Sequence, residues 1–212
     1  MYPNLKNTVS SPPLLIILGP TASGKTHIAT QLANQIDGQI ISADSRQVYR
    51  DMNIGTGKDL DEYVVDGKQI PYHLIDVVEA GVKYNIHQFQ QDFSHAYQQV
   101  VAQGAVPIVC GGSGMYIHSL IEDYRFTAIP VNEDLRVSLD GKSHEEVLHL
   151  FAEMDSDIRA VVDSSTRKRL VRAIEISTFA KTNPVAFNTL LAGARTYDYV
   201  CIGLNPELNA RR

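Results

Sequence analysis

Gly19-Pro20-Thr21-Ala22-Ser23-Gly24-Lys25-Thr26 follows the spacing G-x-x-x-x-G-K-[ST], and those residue types at that spacing suit the binding of a di- or triphosphate. Glycines let the backbone curl until successive N–H groups face one anion. Lys25 adds a point charge, and the Thr26 hydroxyl is placed to hold a magnesium ion. A plain helix start, capped by Thr21 or Ser23, would account for neither the lysine nor the hydroxyl after it. The cradle alone does not choose among hydrolases, kinases and other transferases. A carboxylate able to act as a base follows at Asp44, just past the apolar run Gln39-Ile-Ile41. Gln47, three residues on, leaves open the alternative that Asp44 only caps a helix. Lys58, after Gly55-Thr-Gly57, is a further cation expected near the same rim.

These groups need elements to hold them. Leu14-Leu-Ile-Ile-Leu18 is a continuous branched apolar run that meets a glycine at once, the pattern of a central parallel strand covered on both faces. Ile28, Leu32, Ala33 and Ile36 recur at helical spacing before the short run at 39–41. Downstream, Ile86, Phe89, Phe93, Tyr97 and Val100 form a helical stripe that Gly104 ends, and Val106 to Cys110 reads as another buried strand broken by Gly111-Gly-Ser-Gly114. Tyr199 to Leu204 supplies a late strand. Strands alternating with helices predict an α/β fold, a P-loop NTPase-like parallel sheet flanked by helices, with ligands at the carboxyl ends of the strands. Residues 1–13 read as a flexible leader, 14–130 and 166–212 as the core. The polar stretch 131–165, with a stripe at Val147, Leu150, Phe151 and Met154, reads as a small helical insertion.

Composition narrows the class. With 212 residues, 44% hydrophobic and 20% charged, the chain can bury a substantial core and is neither disordered nor a coiled coil. A net charge of −5 argues against general adhesion to nucleic acid or anionic membrane, so any RNA contact must come from a local basic patch. Cys110 and Cys201 lie in apolar runs and are expected to be buried, reduced and inert, as in the cytoplasm. No apolar stretch is long enough to span a membrane.

Five motifs together, Gly19 to Thr26, Ile41-Ser-Ala-Asp-Ser-Arg-Gln-Val-Tyr49, Met52-Asn-Ile-Gly-Thr-Gly-Lys58, Pro71-Tyr-His-Leu-Ile-Asp76 and Gly111-Gly-Ser-Gly-Met-Tyr116, resemble the tRNA dimethylallyltransferase (isopentenyltransferase) family. Arg167-Lys-Arg-Leu-Val-Arg-Ala-Ile-Glu175 is similar to the family's basic helix. The resemblance implies transfer of a dimethylallyl group from dimethylallyl diphosphate to the exocyclic amine of the adenosine 3′-adjacent to the anticodon. Gly19 to Thr26 would bind the diphosphate with Mg²⁺ at Thr26, Lys25 would stabilise the leaving group, and Asp44 would be the base. Ser45, Arg46 and Gln47 would read the target adenine. Ser113, where the family usually has threonine, would line the acceptor channel, and Arg167, Lys168, Arg169 and Arg172 would contact phosphates of the anticodon arm. The final arginines match a diphosphate-binding segment, Arg212 best and Arg211 next. A monomer is expected.

The insertion looks shorter than the family's, Val162-Asp-Ser-Ser165 replaces the usual His-Pro-Asn-Asp stretch, and family members continue past the position of Arg212. Three alternatives stay open: an adenylate isopentenyltransferase acting on free nucleotide, a small-molecule kinase, and a truncated, non-catalytic module that binds RNA or diphosphate.

Overall fold

In the computed structural model, residues 12–122, 124–154, 156–192 and 197–207 are described. The chain divides into two compact units, residues 1–123 with 196–212, and residues 124–195.

The first unit is built on a parallel sheet. Strand β1 (Leu14–Leu18) leads to helix α1 (Lys25–Ile36) and strand β2 (Gly38–Ser42). A short hairpin, β3 (Val64–Val65) with β4 (Lys68–Gln69), precedes the two-residue strand β5 (Tyr72–His73). Helix α2 (Ile86–Ala102), strand β6 (Val106–Gly111), helix α3 (Gly114–Ile121) and, after the second unit, strand β7 (Tyr199–Gly203) complete it. The strand order is β5-β2-β6-β1-β7, every neighbouring pair parallel. The chain therefore skips from β1 past one position to β2 and returns to insert β6 between them. That reversal opens a crevice at the carboxyl ends of β1 and β6.

Side-chain alternation explains why both faces are covered. Ile17, Ile40, Ile108 and Cys110 pack with Ala29 and Ala33 of α1, whereas Leu14, Ile16, Ile41 and Val109 pack with Phe89 and Phe93 of α2 and Ile117 and Leu120 of α3. Helix α2 starts at a full capping box, in which the Asn85 side chain accepts from the Gln88 N–H and the Gln88 side chain accepts from the Asn85 N–H. The predicted strands and the helical stripe of α2 fall where expected. One expectation is corrected: Cys110 is buried but Cys201 is exposed, because β7 is an edge strand whose five residues all remain exposed.

The second unit is helical: α4 (Glu133–Asp140), α5 (His144–Ala152), α6 (Ser156–Val161), α7 (Arg167–Thr182) and α8 (Pro184–Ala192). Val147, Met154, Leu170, Ile174 and Phe187 share one core there. The unit is wider than the stretch 131–165 expected from composition, because Leu170, Ala173 and Ile174 of α7 pack on the same cluster as Val147 of α5. Apolar side chains on α7, not the polar stretch before it, set that boundary.

Candidate active site

The cradle joins β1 to α1. Ala22 and Gly24 both take left-handed backbone angles, φ 57° and 76°, the kind of conformation from which anion nests of backbone N–H groups are built. Gly24 is also the N-cap of α1 and offers no side-chain cap, so the first N–H groups of the helix are left for a ligand. The Lys25 ammonium folds back to donate to Pro20 O at 2.6 Å. The hydroxyl Oγ of Ser23 is buried without a hydrogen-bond partner, and a phosphate oxygen is the kind of group that would satisfy it.

Asp44 leaves β2 in a turn rather than a helix. Its Oδ1 accepts the Arg46 N–H at 2.9 Å and its carbonyl accepts the Gln47 N–H at 3.2 Å, an Asx-type turn that sets aside the helix-capping alternative. Gln47 instead accepts from the Ser42 hydroxyl at 2.8 Å and donates to Gly57 O at 2.9 Å, which leaves one amide N–H and one acceptor lone pair free by count. Ser45 and Arg46 are exposed.

The loop after β6 closes the arrangement. The Ser113 N–H donates to Ala43 O at 3.1 Å, and the Ser113 hydroxyl accepts the Ser45 N–H at 2.9 Å and donates to the Ser45 hydroxyl at 3.1 Å. A methyl placed on Gly112 would lie 4.0 Å from Lys25 Nζ, so this loop also borders the cradle. The three strand ends therefore meet on one rim.

Cys110 reports that convergence. Burial pushes its thiol up to about 12, against the pull of the Lys25 charge and a hydrogen bond with Thr26, while the Glu62 and Asp44 charges push the same way as burial. The thiol thus lies within electrostatic reach of the cradle lysine and the carboxylate, and touches the proposed metal ligand. Tyr116, on α3, is also raised, by burial first and then by Tyr49 and Asp44. Neither residue was assigned to the site from sequence. The available signal is position, Cys110 next to the end of β6 and Tyr116 in the first turn of the helix after Ser113.

Lys58 does not face the rim as a free cation. Its side chain is fully buried and bonds Asp76 and Tyr49 O. Arg212 and Arg211 lie outside the described residues.

The basic helix α7 belongs to the second unit, and its cations divide into two groups. Arg167 donates to Leu139 O and Lys142 O, and Arg172 donates to Phe126 O, Ile129 O and Glu175. Lys168 and Arg169 are exposed, the latter paired with Asp163 at 2.8 Å. Glu175 is a buried hub that also takes both ends of Arg136 and the Asn132 N–H. Burial raises the Glu175 carboxyl, but the hydrogen bonds from Arg136, Arg172 and Asn132 outweigh it and hold it below the ordinary glutamate range. A depressed folded-state value contributes stability above the unfolded value of about 4.3, and that contribution is lost as pH falls toward the folded one. Glu175→Gln should therefore cost the second unit about 2 kcal/mol at neutral pH. Urea midpoints measured between neutral and acid pH should fall for the parent and change less for the variant.

The family model described as IPP transferase matches residues 47–212. The chain is 44% identical over 199 residues to tRNA dimethylallyltransferase 1 of Azobacteroides pseudotrichonymphae, covering 94% of this chain and 64% of that protein. It is 52% identical over 168 residues to tRNA dimethylallyltransferase 2 of Phocaeicola vulgatus, covering 79% and 54%. The solved structure of tRNA delta(2)-isopentenylpyrophosphate transferase from Staphylococcus epidermidis is 31% identical, with a TM-score of 0.53 over 91% of this chain and 63% of that one. The chain thus spans between about half and two thirds of the length of these proteins.

Proposed function

The chain belongs to the IPP transferase family, and from that premise we propose that it transfers a dimethylallyl group from dimethylallyl diphosphate to the exocyclic amine of the adenosine 3′-adjacent to the anticodon in tRNA. The observation that carries the reading is the meeting of cradle, Asp44 turn and Ser113 loop on one rim, since prenyl transfer needs an anion site for the leaving group beside a base for the acceptor.

In this reading the allylic carbon–oxygen bond breaks with cationic character at carbon, and its electron pair leaves on diphosphate. The N–H groups of Gly19 to Thr26 and the Lys25 ammonium stabilise that negative charge. The adenine amine forms the new carbon–nitrogen bond and gives up a proton, which Asp44 accepts. Ser45 and Arg46 are exposed beside Asp44, where they can meet a base swung out of its stack. Gln47, largely committed within the protein, orients that turn and keeps one N–H for the base. Ser113 holds the Ser45 hydroxyl at the acceptor entrance. Lys168 and Arg169, two α7 cations with exposed side chains, are assigned to tRNA phosphates, together with the N–H groups that Arg167 and Arg172 do not spend within the protein. Arg212 is assigned to the diphosphate by the resemblance.

A magnesium ion fits this donor set. Among the described residues no cluster of three or more His, Cys, Asp or Glu side chains could form a metal cage, and magnesium needs few protein ligands where phosphates and water supply the rest. Thr26 would hold it, and it would supply further neutralisation of the leaving diphosphate.

Lys25→Met should lower kcat/KM by about 100-fold through loss of leaving-group stabilisation, measured as diphosphate release with saturating tRNA. The acceptor is tested by competition: with labelled dimethylallyl diphosphate and equal AMP and tRNA, label is expected in tRNA. Label in AMP instead would move the chain to the adenylate isopentenyltransferases.

A further inference from the structure

We propose that Lys58 is a positioning residue for this reaction: its buried ammonium ties Tyr49, Asn53 and Asp76 together and so fixes the backbone segment that displays Asp44, Ser45 and Arg46. The inference rests on the reading of Asp44 as the base.

The turn that carries Asp44 has two sides. On one, Ser45 is held by Ser113. On the other, residues 47–50 run beside residues 76–78, where Asp76 N–H donates to Gln47 O at 3.0 Å, Val77 and Val78 donate to Val48 O at 2.8 and 2.9 Å, and Arg50 N–H donates to Val78 O at 2.8 Å. Lys58 locks this second side. Its Nζ donates to Tyr49 O and to Asp76 Oδ1, with Asn53 Oδ1 at 3.5 Å. An ammonium has three N–H groups, and three acceptors face it from three points of the chain, so none is left for a phosphate or a base. The neighbouring Thr56 hydroxyl donates to Met52 O at 2.6 Å, and Gly57 O receives Gln47 Nε2, so the loop that delivers Lys58 also braces the residue three after Asp44.

Asp76 carries the other half. It sits at φ 56°, a left-handed angle that costs free energy in a residue other than glycine and persists where surrounding bonds hold it. Its N–H, carbonyl and carboxylate are all engaged, with Gln47 O, Arg50 Nε and Lys58 respectively. Such an arrangement transmits any slackening at Lys58 to the backbone three to five residues from the base. Misplacement of a catalytic group by about 1 Å can cost about 100-fold in rate.

The test uses Lys58→Met, which keeps the apolar stem and removes the charge. Amide hydrogen exchange at Arg50, Val77 and Val78 should accelerate by about tenfold or more, while amides of residues 19–26 stay unchanged. Affinity for inorganic pyrophosphate should stay within about twofold, and kcat for prenyl transfer should fall about 100-fold with KM for dimethylallyl diphosphate held. Weaker pyrophosphate binding with unaltered exchange would make Lys58 an anion contact and overturn the proposal, as would unaltered exchange with unaltered kcat. If Lys58→Met does not fold, Asp76→Asn, which tolerates the same backbone angle, carries the same readouts and the same expected pattern. Exchange and pyrophosphate binding require no turnover, so a parent protein that fails to modify tRNA would overturn the proposed function and leave the clamp to stand or fall on those two measurements.

Discussion

Asp44→Asn should reduce prenyl transfer by about 1,000-fold while leaving pyrophosphate binding and the thermal unfolding midpoint close to those of the parent protein. Asp44 Oδ1 accepts the Arg46 N–H at 2.9 Å and thereby shapes the turn; asparagine keeps a carbonyl oxygen that can accept the same bond and tolerates the same turn. What asparagine cannot do is take a proton from the adenine amine. The cradle lies on a separate segment, residues 19–26, and is not bonded to Asp44, so anion binding should survive. Steady-state turnover, pyrophosphate titration and thermal unfolding of both proteins check the three parts of the statement. A variant that turns over normally would remove Asp44 from the role of base.

Gly111→Ala should be the most damaging small substitution in the sheet, costing about 3–5 kcal/mol. A Cβ at residue 111 would stand 2.2 Å from Ala43 O, 2.4 Å from Ala43 C and 2.8 Å from Ala43 Cα. All three are backbone atoms, so no side chain can swing aside. The ends of β2 and β6 would have to separate, and with them the bonds Ala43 N–H to Cys110 O at 2.8 Å and Ser113 N–H to Ala43 O at 3.1 Å. Since Ala43 precedes Asp44, the proposed base, and Ser113 holds Ser45, stability and turnover should fall together. Gly112→Ala is the control for stability. Its new methyl would meet nothing nearer than 3.9 Å, and its unfolding free energy should stay within about 0.5 kcal/mol of the parent. Urea denaturation of the two alanine variants measures the contrast directly.

The contrast also shows which parts of this protein could be read from sequence. Local patterns were legible. The five apolar residues of β1 (Leu14–Leu18) and the glycines around Lys25 announce a covered strand and an anion loop without knowledge of anything distant. The stripe from Ile86 to Val100 marked α2 for the same reason. Properties that depend on partners far along the chain were not legible. Lys58 follows a glycine-rich loop and reads as a rim cation, yet its charge is consumed by Asp76, eighteen residues away. Cys201 sits in an apolar run that resembles a buried strand, yet β7 is at the sheet edge and leaves it exposed.

The helical unit makes the same point. Arg167, Lys168, Arg169 and Arg172 look alike as a basic cluster. Only the folded arrangement separates Arg172, bound to three backbone carbonyls and the buried Glu175, from Lys168, whose side chain is exposed. Asp44 was legible as a carboxylate after a strand but not as the centre of a turn, because the choice between turn and helix was settled by Gly57 O and the Ser42 hydroxyl capturing the Gln47 side chain.

We propose that the rim formed by the cradle, Asp44 and Ser113 joins a dimethylallyl group to one adenine amine of tRNA. The most direct test is mass spectrometry of nucleosides from tRNA incubated with this protein, magnesium and dimethylallyl diphosphate. The expected result is adenosine carrying one dimethylallyl group, located 3′-adjacent to the anticodon, with an equal amount of diphosphate released and about 1,000-fold slower product formation by Asp44→Asn. Unmodified tRNA from a folded, pyrophosphate-binding protein, or the group found on another nucleotide, would contradict it.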